Sequence, residues 1–326
     1  MRQTGCWAVN VIVRYLEYIV ALAHERHFAR AASACNVTQP TLSAGIKQLE
    51  ESLGVLIVER RQRFVGFTAE GERVLAWAQR TLADYRGLEQ ELTESREGLL
   101  GQVRIGSIPV GLPALGLLTA TFAVRHPRAR LEIISQTSRE IQRGLDDFTI
   151  DVGVTYLDND PLARVRTTEL YHERYVLLTH QGGHFGTREA VTWAEAAQLP
   201  LCLLTQSMQN RRILDAYFRE AGAEVQPSIE TNSLVTLWSH VRFGTWSTIV
   251  PHTFLLLLGQ PGGLSALPLI DPIGSHTLGV VASSRDPLTP MTRALLAVAQ
   301  EVDLARDIEA HIDKYWRRGV PVQVSD

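Results

Sequence analysis

Gln39, Thr41, Ser43, Lys47 and Gln48 are the residues whose types and spacing most directly suggest a chemistry. Between them Leu42, Ile46, Leu49 and Leu53 recur at steps of three and four. That interleaving gives one helix a polar face and an apolar stripe. Amides and hydroxyls of this reach match the donors and acceptors that base edges present in a DNA major groove, and a lysine suits a phosphate. Thr38 is placed to cap the helix, its hydroxyl accepting from first-turn N–H groups. Pro40 falls in that turn, where a missing N–H costs nothing. An amphipathic helix with a Thr cap is ordinary by itself, so its neighbours decide what it does.

The elements that would position this face lie on both sides of it. Residues 1–11 lack periodicity and are expected to be a loose extension. Tyr15, Leu16, Ile19, Leu22 and Ala23 mark a first helix over about Val13–Glu25. Phe28–Cys35 is a second, short helix whose alanines allow close packing, and Asn36-Val37 is the turn into the third. Two short helices, a tight turn and a polar-faced helix make a helix-turn-helix. After Gly54, Val55–Val58 reads as a strand, Arg60-Arg61-Gln62-Arg63 as a polar tip and Phe64–Phe67 as a returning strand. An arginine cluster is commonly just a solvated hairpin. Directly after a helix-turn-helix, a wing carrying Arg60, Arg61 and Arg63 is placed to touch phosphates beside the groove. With Arg30 of the second helix, the candidate DNA-contacting set is Arg30, Thr38, Gln39, Pro40, Thr41, Ser43, Lys47, Arg60, Arg61 and Arg63. The expected DNA-binding domain is 1–68.

Thr68 then caps a helix reaching about Glu97, with Leu75, Ala78, Leu82, Tyr85 and Leu92 in three-four spacing and Glu89 interrupting. So narrow a stripe on roughly eight turns needs a partner. Its copy in a second subunit is the natural one, giving a homodimer through a 69–98 linker helix, and packing within its own domain is the alternative.

Charge distribution agrees with this placement. The net charge is −3, but residues 1–66 hold eight Arg or Lys against five Asp or Glu, and residues 67–97 hold four against seven. Basic charge is thus concentrated at the front. At 326 residues, 45% hydrophobic and 21% charged, the chain reads as a globular protein of two or three domains. The apolar strip Thr253–Leu258 is too short to span a bilayer, and no basic-then-apolar leader opens the sequence, so no membrane association and a cytoplasmic location are expected. Cys6, Cys35 and Cys202 are odd in number and scattered, which argues against a disulfide framework. His24 and His27, three apart, lack the Cys or carboxylate partners that would complete a metal site, so no metal and no cofactor are expected. There is no Gly-x-Ser-x-Gly elbow, phosphate-cradling glycine loop or His-Glu-x-x-His motif, and no enzymatic activity is expected.

Gly98–Gly101 reads as a hinge, 99–101, after which the pattern becomes strand–helix alternation. Strands are expected at Val103–Gly106, Leu131–Ile134, Asp151–Val154, Arg174–Thr179, Leu201–Leu204, Thr248–Val250 and Leu278–Ala282. Helices fall at Pro109–His126, Ser138–Asp146, Thr192–Gln198, Met208–Ala221, Leu234–Phe243 and Pro290–Val302, the last before a tail over 306–326. The fold class is therefore α/β, and the alternation predicts parallel sheets covered on both faces.

Residues 13–100 resemble the winged helix-turn-helix of LysR-type transcriptional regulators. The matching pieces are Phe28–Ala32, Val37–Ser43, Leu49–Val55, Glu59-Arg60 and Phe67–Gly71. Looser matches are Gly101–Gly106, Phe122 to Pro127, Asp151–Val154 and Glu173 to Leu178, so the likeness covers nearly the whole chain. It implies a two-lobed effector-binding domain over 102–305, like a periplasmic binding protein. One lobe would be about 102–172 with 278–305, the other about 173–277. It further implies a small-molecule effector in the cleft, homodimers pairing into homotetramers on double-stranded promoter DNA, activation or repression as output, and RNA polymerase as a further candidate partner. The strand and helix ends of such an architecture supply Ser107, Gln136, Thr137, Ser138, Thr205, Gln206, Asn232 and Thr245 as candidate effector contacts. Hydroxyls and amides at helix N-termini suit a small carboxylate or oxyanion, though each is also a plausible cap.

Some positions depart from the family pattern. Gly45 stands mid-helix where relatives often carry a long polar side chain, costing about 1 kcal/mol and removing a base contact. His27 replaces a Ser, and Val110 stands where many relatives have a ligand-binding Thr. Trp246 in Phe243-Gly244-Thr245-Trp246-Ser247 replaces a small residue, suggests a small ligand, and makes the run look like the subgroup associated with formate dehydrogenase genes. Cys202 could serve a redox switch such as one branch of the family uses, but inside the apolar run Leu201–Leu204 a thiol is ordinarily an inert hydrophobe. Besides a redox-responsive member, the alternatives are a winged-helix regulator of the molybdate-responsive type, whose ligand domain is smaller and β-rich, and a solute-binding protein, which the front domain opposes.

Overall fold

A computed structural model describes residues 7–60, 64–181, 183, 185, 188–257 and 263–315. Its chain divides into two compact units, Met1–Gly98 and Leu99–Asp326.

The first unit opens with α1 (Trp7–Glu25), α2 (Phe28–Ala34) and α3 (Gln39–Leu53). The expected loose extension is helical from Trp7 onward, because no Gly or Pro interrupts the run into the amphipathic segment. Asn36 takes the left-handed φ of 54° that the turn requires, a conformation Asn tolerates. Gly54 ends α3 at φ 68°, its N–H bonded to the Glu50 carbonyl. Tyr18, Ile19 and Leu22 of α1, Ala31 and Ala32 of α2, and Leu42, Ile46 and Leu49 of α3 close the core. Leu53, expected on that stripe, is 50% exposed. Gly45 is buried and faces α1, not the groove side: an added Cβ would lie 2.8 Å from the rings of Tyr15 and Tyr18. The glycine therefore permits helix–helix approach and removes no base contact.

The wing is β1 (Val58–Arg60) paired antiparallel with β2 (Phe64–Phe67). Its first strand starts later than the expected Val55. Val55 N–H still bonds back to the Glu50 carbonyl, and the Ile57 and Val58 amides are taken by the Glu50 carboxylate at 2.9 and 3.1 Å. Next comes α4 (Ala69–Glu97). Ala78 and Leu82 of the expected stripe are buried, and α4 packs on α1 within the same unit. Trp77, Tyr85, Leu88 and Leu92 are left exposed. The long helix thus packs on its own domain, the alternative reading, and also leaves an apolar set exposed.

The second unit runs β3 (Gly101–Ser107), α5 (Leu112–Arg125), β4 (Ala129–Ser135), α6 (Ser138–Asp146), β5 (Val152–Tyr156) and the long β6 (Val165–His180). It continues with β7 (Val191–Thr192), α7 (Trp193–Ala196), β8 (Cys202–Leu204), α8 (Gln209–Glu220), β9 (Ile229–Thr231), α9 (Leu234–Phe243) and β10 (Thr248–Pro251). β11 (Leu264–Ile270), β12 (Ser275–Ser283), α10 (Pro290–Glu301) and α11 (Leu304–Tyr315) complete it, with 3-10 turns at Pro109–Gly111 and His252–Leu257. The sheet order β4-β3-β5-β12-β6-β11-β7, with β10 also on β6, makes β6 the strand that joins two lobes. From Val165 to Arg174 it pairs with β12; from Tyr175 to His180 it pairs with β10 and β11. The switch lies between Arg174 and Tyr175.

Two expectations need correction. The sheets are mixed, not parallel: β3 is parallel to β4 and β5, but β12 runs antiparallel to β5 and β6, and β10 and β11 antiparallel to β6. A chain that returns to the first lobe by β12, without a crossover helix, must arrive antiparallel. The expected tail from 306 is helical to Tyr315, since Leu304, Ile308 and Ile312 form an i,i+4 stripe, and Leu304 and Ile308 are buried. Among the described residues no helix is long and apolar enough to cross a membrane.

Candidate functional site

Two surfaces collect the candidate residues, one in each unit. On the first, Thr38 caps α3, its hydroxyl accepting from Thr41 N–H at 3.3 Å. Pro40 lies in the first turn. With Leu42, Ile46 and Leu49 buried against α1 and α2, the polar side is held outward: Thr38, Gln39, Pro40, Thr41 and Lys47 are exposed and Ser43 is half-buried. Lys47 reaches Glu51 at 3.5 Å, an exposed pair worth little against a phosphate. Gln48 is tied back by the Tyr15 hydroxyl, which donates to its Oε1. Arg30 is exposed on α2, donating to the Glu25 carbonyl at 2.6 Å. Arg60 lies at the end of β1; Arg61 and Arg63, also expected to contact phosphate, lie outside the described residues. His27, noted as a departure, works as a cap: its Nδ1 accepts from Ala29 N–H at 3.2 Å. Among the described residues no His, Cys, Asp or Glu group could hold a metal.

Sequence inspection missed what holds this face in place. Glu50 follows the last core leucine of α3 and reads as a solvent residue, yet it is 8% exposed and clamps the wing strand through two amides. Gly71 sits in the first turn of α4, where Thr68 accepts from its N–H at 2.9 Å and donates to the Leu56 carbonyl at 2.6 Å. Chain 56–57 is thereby drawn so close that a Cβ at Gly71 would meet the Ile57 carbonyl oxygen at 2.0 Å.

The second surface is a cleft between the lobes of the sensor unit, with about 220 Å³ of free space, part of it open to solvent. Lobe 1 contributes Ile108, Pro109, Val110, Thr137 and Ser138; lobe 2 contributes Leu204, Met208, Gln209 and Asn210. As it stands there is room inside for little beyond a water-sized group. Helix starts converge here. Thr137 caps α6 in a capping box with Glu140. α8 begins at Met208 with no side-chain cap on its first-turn amides, leaving the positive end of its dipole directed at the cleft. Buried Arg211 fixes α8, donating to the Leu204 carbonyl at 2.8 Å and to Asp215 at 2.7 Å, and pairing with Glu230 at 2.5 Å.

Of the expected effector contacts, Thr137 and Ser138 line this cleft. Ser107 is fully buried below it, donating to the Ile108 carbonyl. The side-chain Oε1 of Gln136 lies over Gly106, where an added Cβ would come within 2.3 Å of it. Thr205 bonds to Ser207, and Gln206, Asn232 and Thr245 are exposed away from the lining. Trp246 is likewise no part of the lining: it covers Gly244 and meets His240 edge-on at 5.6 Å. Sequence reasoning missed Met208, Gln209 and Asn210, although two amides directly after an apolar N-cap are a usable sign of a helix start facing something other than water.

Cys202 lies in β8, fully buried, and burial pushes its thiol up to about 11. It is the one cysteine within 99–326.

Comparison with known proteins finds relatives for both units. A family model for the bacterial regulatory helix-turn-helix protein, lysR family, matches residues 13–72, and one for the LysR substrate binding domain matches residues 96–303. The chain is 30% identical over 313 residues to the DNA-binding transcriptional dual regulator OxyR of Escherichia coli, covering 94% of this chain and 99% of that one. It is 37% identical over 301 residues to the SDS degradation transcriptional activation protein of a Pseudomonas species, covering 89% and 96%. Among solved structures, a cysteine-to-aspartate variant of full-length OxyR from Pseudomonas aeruginosa superposes with a TM-score of 0.71 at 26% identity, covering 90% of this chain and 98% of that one. CbnR complexed with its target DNA superposes at 0.64 and 20% identity, covering 88% and 98%, which speaks for the fold. A capped, polar-faced helix on a winged unit, followed by a two-lobed sensor, is thus matched along nearly its whole length, and the chain belongs to the LysR family of DNA-binding transcriptional regulators.

Proposed function

We infer that this regulator binds promoter DNA as a homo-oligomer, reads base edges with the exposed face of α3, and answers to a small anion in the inter-lobe cleft. The observation that carries the first part is the division of α3: Gln39, Pro40, Thr41 and Lys47 are exposed while Leu42, Ile46 and Leu49 are sealed against α1 and α2. A helix so divided enters a major groove with its first turns leading. Exposed Trp77, Tyr85, Leu88 and Leu92 on α4 support pairing with a second copy. That CbnR is seen with its target DNA supports the same use of the winged unit here.

Gel-shift titrations at several salt concentrations separate the contacts. Lys47→Ala is expected to weaken binding on every sequence and reduce the salt slope by about 1. Gln39→Ala and Thr41→Ala are expected to relax the preference at particular base pairs, at roughly 1–3 kcal/mol each. Unchanged affinity and preference in all three variants would remove the assignment.

For the effector, the uncapped start of α8 beside the capped start of α6 favours negative charge. The small free space favours an anion of few atoms, formate being among the simplest. Calorimetry of the full chain against formate, acetate, nitrate and sulfate tests this, and silence towards every small anion would contradict it. Several relatives are hydrogen peroxide-inducible genes activators, so peroxide is the competing stimulus. The thiolate is the reactive form of cysteine, and Cys202 holds its proton behind a fully buried strand with no second cysteine in the unit. Cys202→Ala is accordingly expected to leave any peroxide effect on promoter binding unchanged, as gel shifts with and without peroxide would show.

A further inference from the structure

Glu173 is a carboxyl group in an unusual place. It lies on β6 one residue before the last rung shared with β12, opposite His276, so it sits where the strand passes from one lobe to the other. Its side chain is fully buried. Tyr156, at the end of β5 in the first lobe, donates its hydroxyl to Glu173 Oε1 and accepts from Asn210 Nδ2 at 3.2 Å. Asn210 belongs to the first turn of α8 in the second lobe and lines the cleft. Beside it Gln209 accepts from the Thr155 hydroxyl at 3.4 Å and donates to the Asn159 carbonyl. One hydrogen-bonded chain, Glu173–Tyr156–Asn210, therefore runs from the crossover to the cleft wall and holds the two lobes together.

The surroundings contain no cation directed at Glu173 among the described residues. On its own strand, Tyr171 and Tyr175 flank it, Arg174 turns to Glu309, and His172 pairs with Glu169 at 3.1 Å. From β12, His276 gives its ring nitrogens to Asp158 at 3.2 Å and to the Tyr217 hydroxyl of α8 at 3.1 Å. Asp158 adds negative charge nearby. From the 3-10 turn, His252 accepts from Arg174 N–H at 3.2 Å and lies against Tyr171. Glu173 Oε2 has no partner among the described residues. An ionised carboxylate here would be an uncompensated buried charge.

We propose that Glu173 is the positioning residue of the cleft and a protonation-controlled latch on it. As the neutral acid it holds Tyr156, and through Tyr156 holds Asn210 and the first turn of α8 against lobe 1; as the carboxylate it is relieved only when the lobes part and water enters. The latch is a property of the two-lobed unit alone; its regulatory meaning rests on the cleft being the effector site.

Burial raises the Glu173 pKa from an ordinary 4.5 to about 8, against the lowering effect of hydrogen bonds from Tyr156 and Tyr175. A raised folded-state value means that the closed form is favoured fully below 4.5, and that this preference is lost as pH rises through about 8. Between pH 6.5 and 9 the equilibrium for opening should therefore rise by about 30-fold, given solvent exposure of the carboxyl in the open form. His252, its pKa lowered to about 3 by burial, loses its contribution only as pH falls below its ordinary 6.5, outside this window.

Hydrogen exchange of the full chain at pH 6.5 and 9, corrected for the chemical rate, reads the latch without any effector. Wild type is expected to lose about 30-fold protection in the segments around Thr155–Asn159 and Met208–Arg212. Glu173→Gln, neutral at both pH values, should keep it, and Tyr156→Phe should show low protection at both. The same loss in Glu173→Gln as in wild type, or no loss in wild type, would overturn the proposal. Should Glu173→Gln not fold, Glu173→Met, also neutral at both pH values, takes its place: a flat profile would support the proposal, and the wild-type loss would overturn it. An anion-binding experiment can fail without touching either outcome.

Discussion

Gly71→Ala should abolish promoter binding while leaving the sensor unit folded. The added methyl would stand 2.0 Å from the Ile57 carbonyl oxygen, 2.9 Å from its carbon and 3.1 Å from its Cα. The obstacle is backbone, so no side-chain rotation relieves it. Thr68 ties the same segment twice: its N–H donates to the Ile57 carbonyl at 3.0 Å and its hydroxyl to that of Leu56. To make room, the start of α4 must move away from the wing, breaking these bonds and the Gly71 cap together. The expected cost is on the order of 3 kcal/mol, the upper part of the range for overpacking, which is a large share of a small unit's stability. Gly116 provides the control. It lies within α5 with nothing within 4 Å of an added Cβ, so Gly116→Ala should stabilise by up to about 1 kcal/mol through helix propensity. Scanning calorimetry of both variants, with promoter affinity measured alongside, checks the pair. Equal stability of Gly71→Ala and wild type would show that chain 56–57 is not held as described.

The second large effect is expected at Glu50. Its Oε1 accepts from Ile57 and Val58 N–H groups at 2.9 and 3.1 Å in a buried setting. Glu50→Ala leaves both amides without that acceptor, and hydrogen bonds to a charged group are worth roughly 1.5–3 kcal/mol. A loss of about 3 kcal/mol is expected in urea unfolding, together with a wing no longer fixed beside α3. Glu50→Gln retains an acceptor oxygen of the same reach and should recover about half of the loss. If Glu50→Ala unfolds at the wild-type urea midpoint, the carboxylate is not what joins wing to helix.

Both sites show why the sequence was legible where it was. Thr38, Pro40 and the Leu42–Ile46–Leu49 stripe act within one helix, so their spacing alone marks α3 and its outward face. The order of motifs then supplied the family and the two-lobed plan. Glu50 and Gly71 act across contacts with residues 56–58, and no local period announces that a charged residue is turned inward or that a carbonyl occupies the place of a Cβ. Gly45 misled in the same way: its cost in helix propensity was visible, but Tyr15 and Tyr18 pressed against it were not. In the sensor unit the rule that ligands gather beyond strand ends picked out Thr137 and Ser138, which line the cleft. It could not say which of several loops face the other lobe, so Gln206, Asn232 and Thr245 were included and Asn210 was not. The first half of β6 escaped because Arg166-Thr167-Thr168-Glu169 is a polar run with no apolar alternation, and its pairing comes only from the returning β12.

The outward face of α3 is proposed to choose the DNA sequence. Anisotropy titration of the full chain against a duplex taken from beside its own gene, and against random duplex of equal length at physiological salt, tests it directly. Preference for the gene-proximal duplex by about a thousandfold or more is expected, in line with specific regulators, and it should collapse towards the random value when Gln39 and Thr41 are both changed to Ala. Equal affinity of wild type for the two duplexes, or a preference that survives the double change intact, would contradict it.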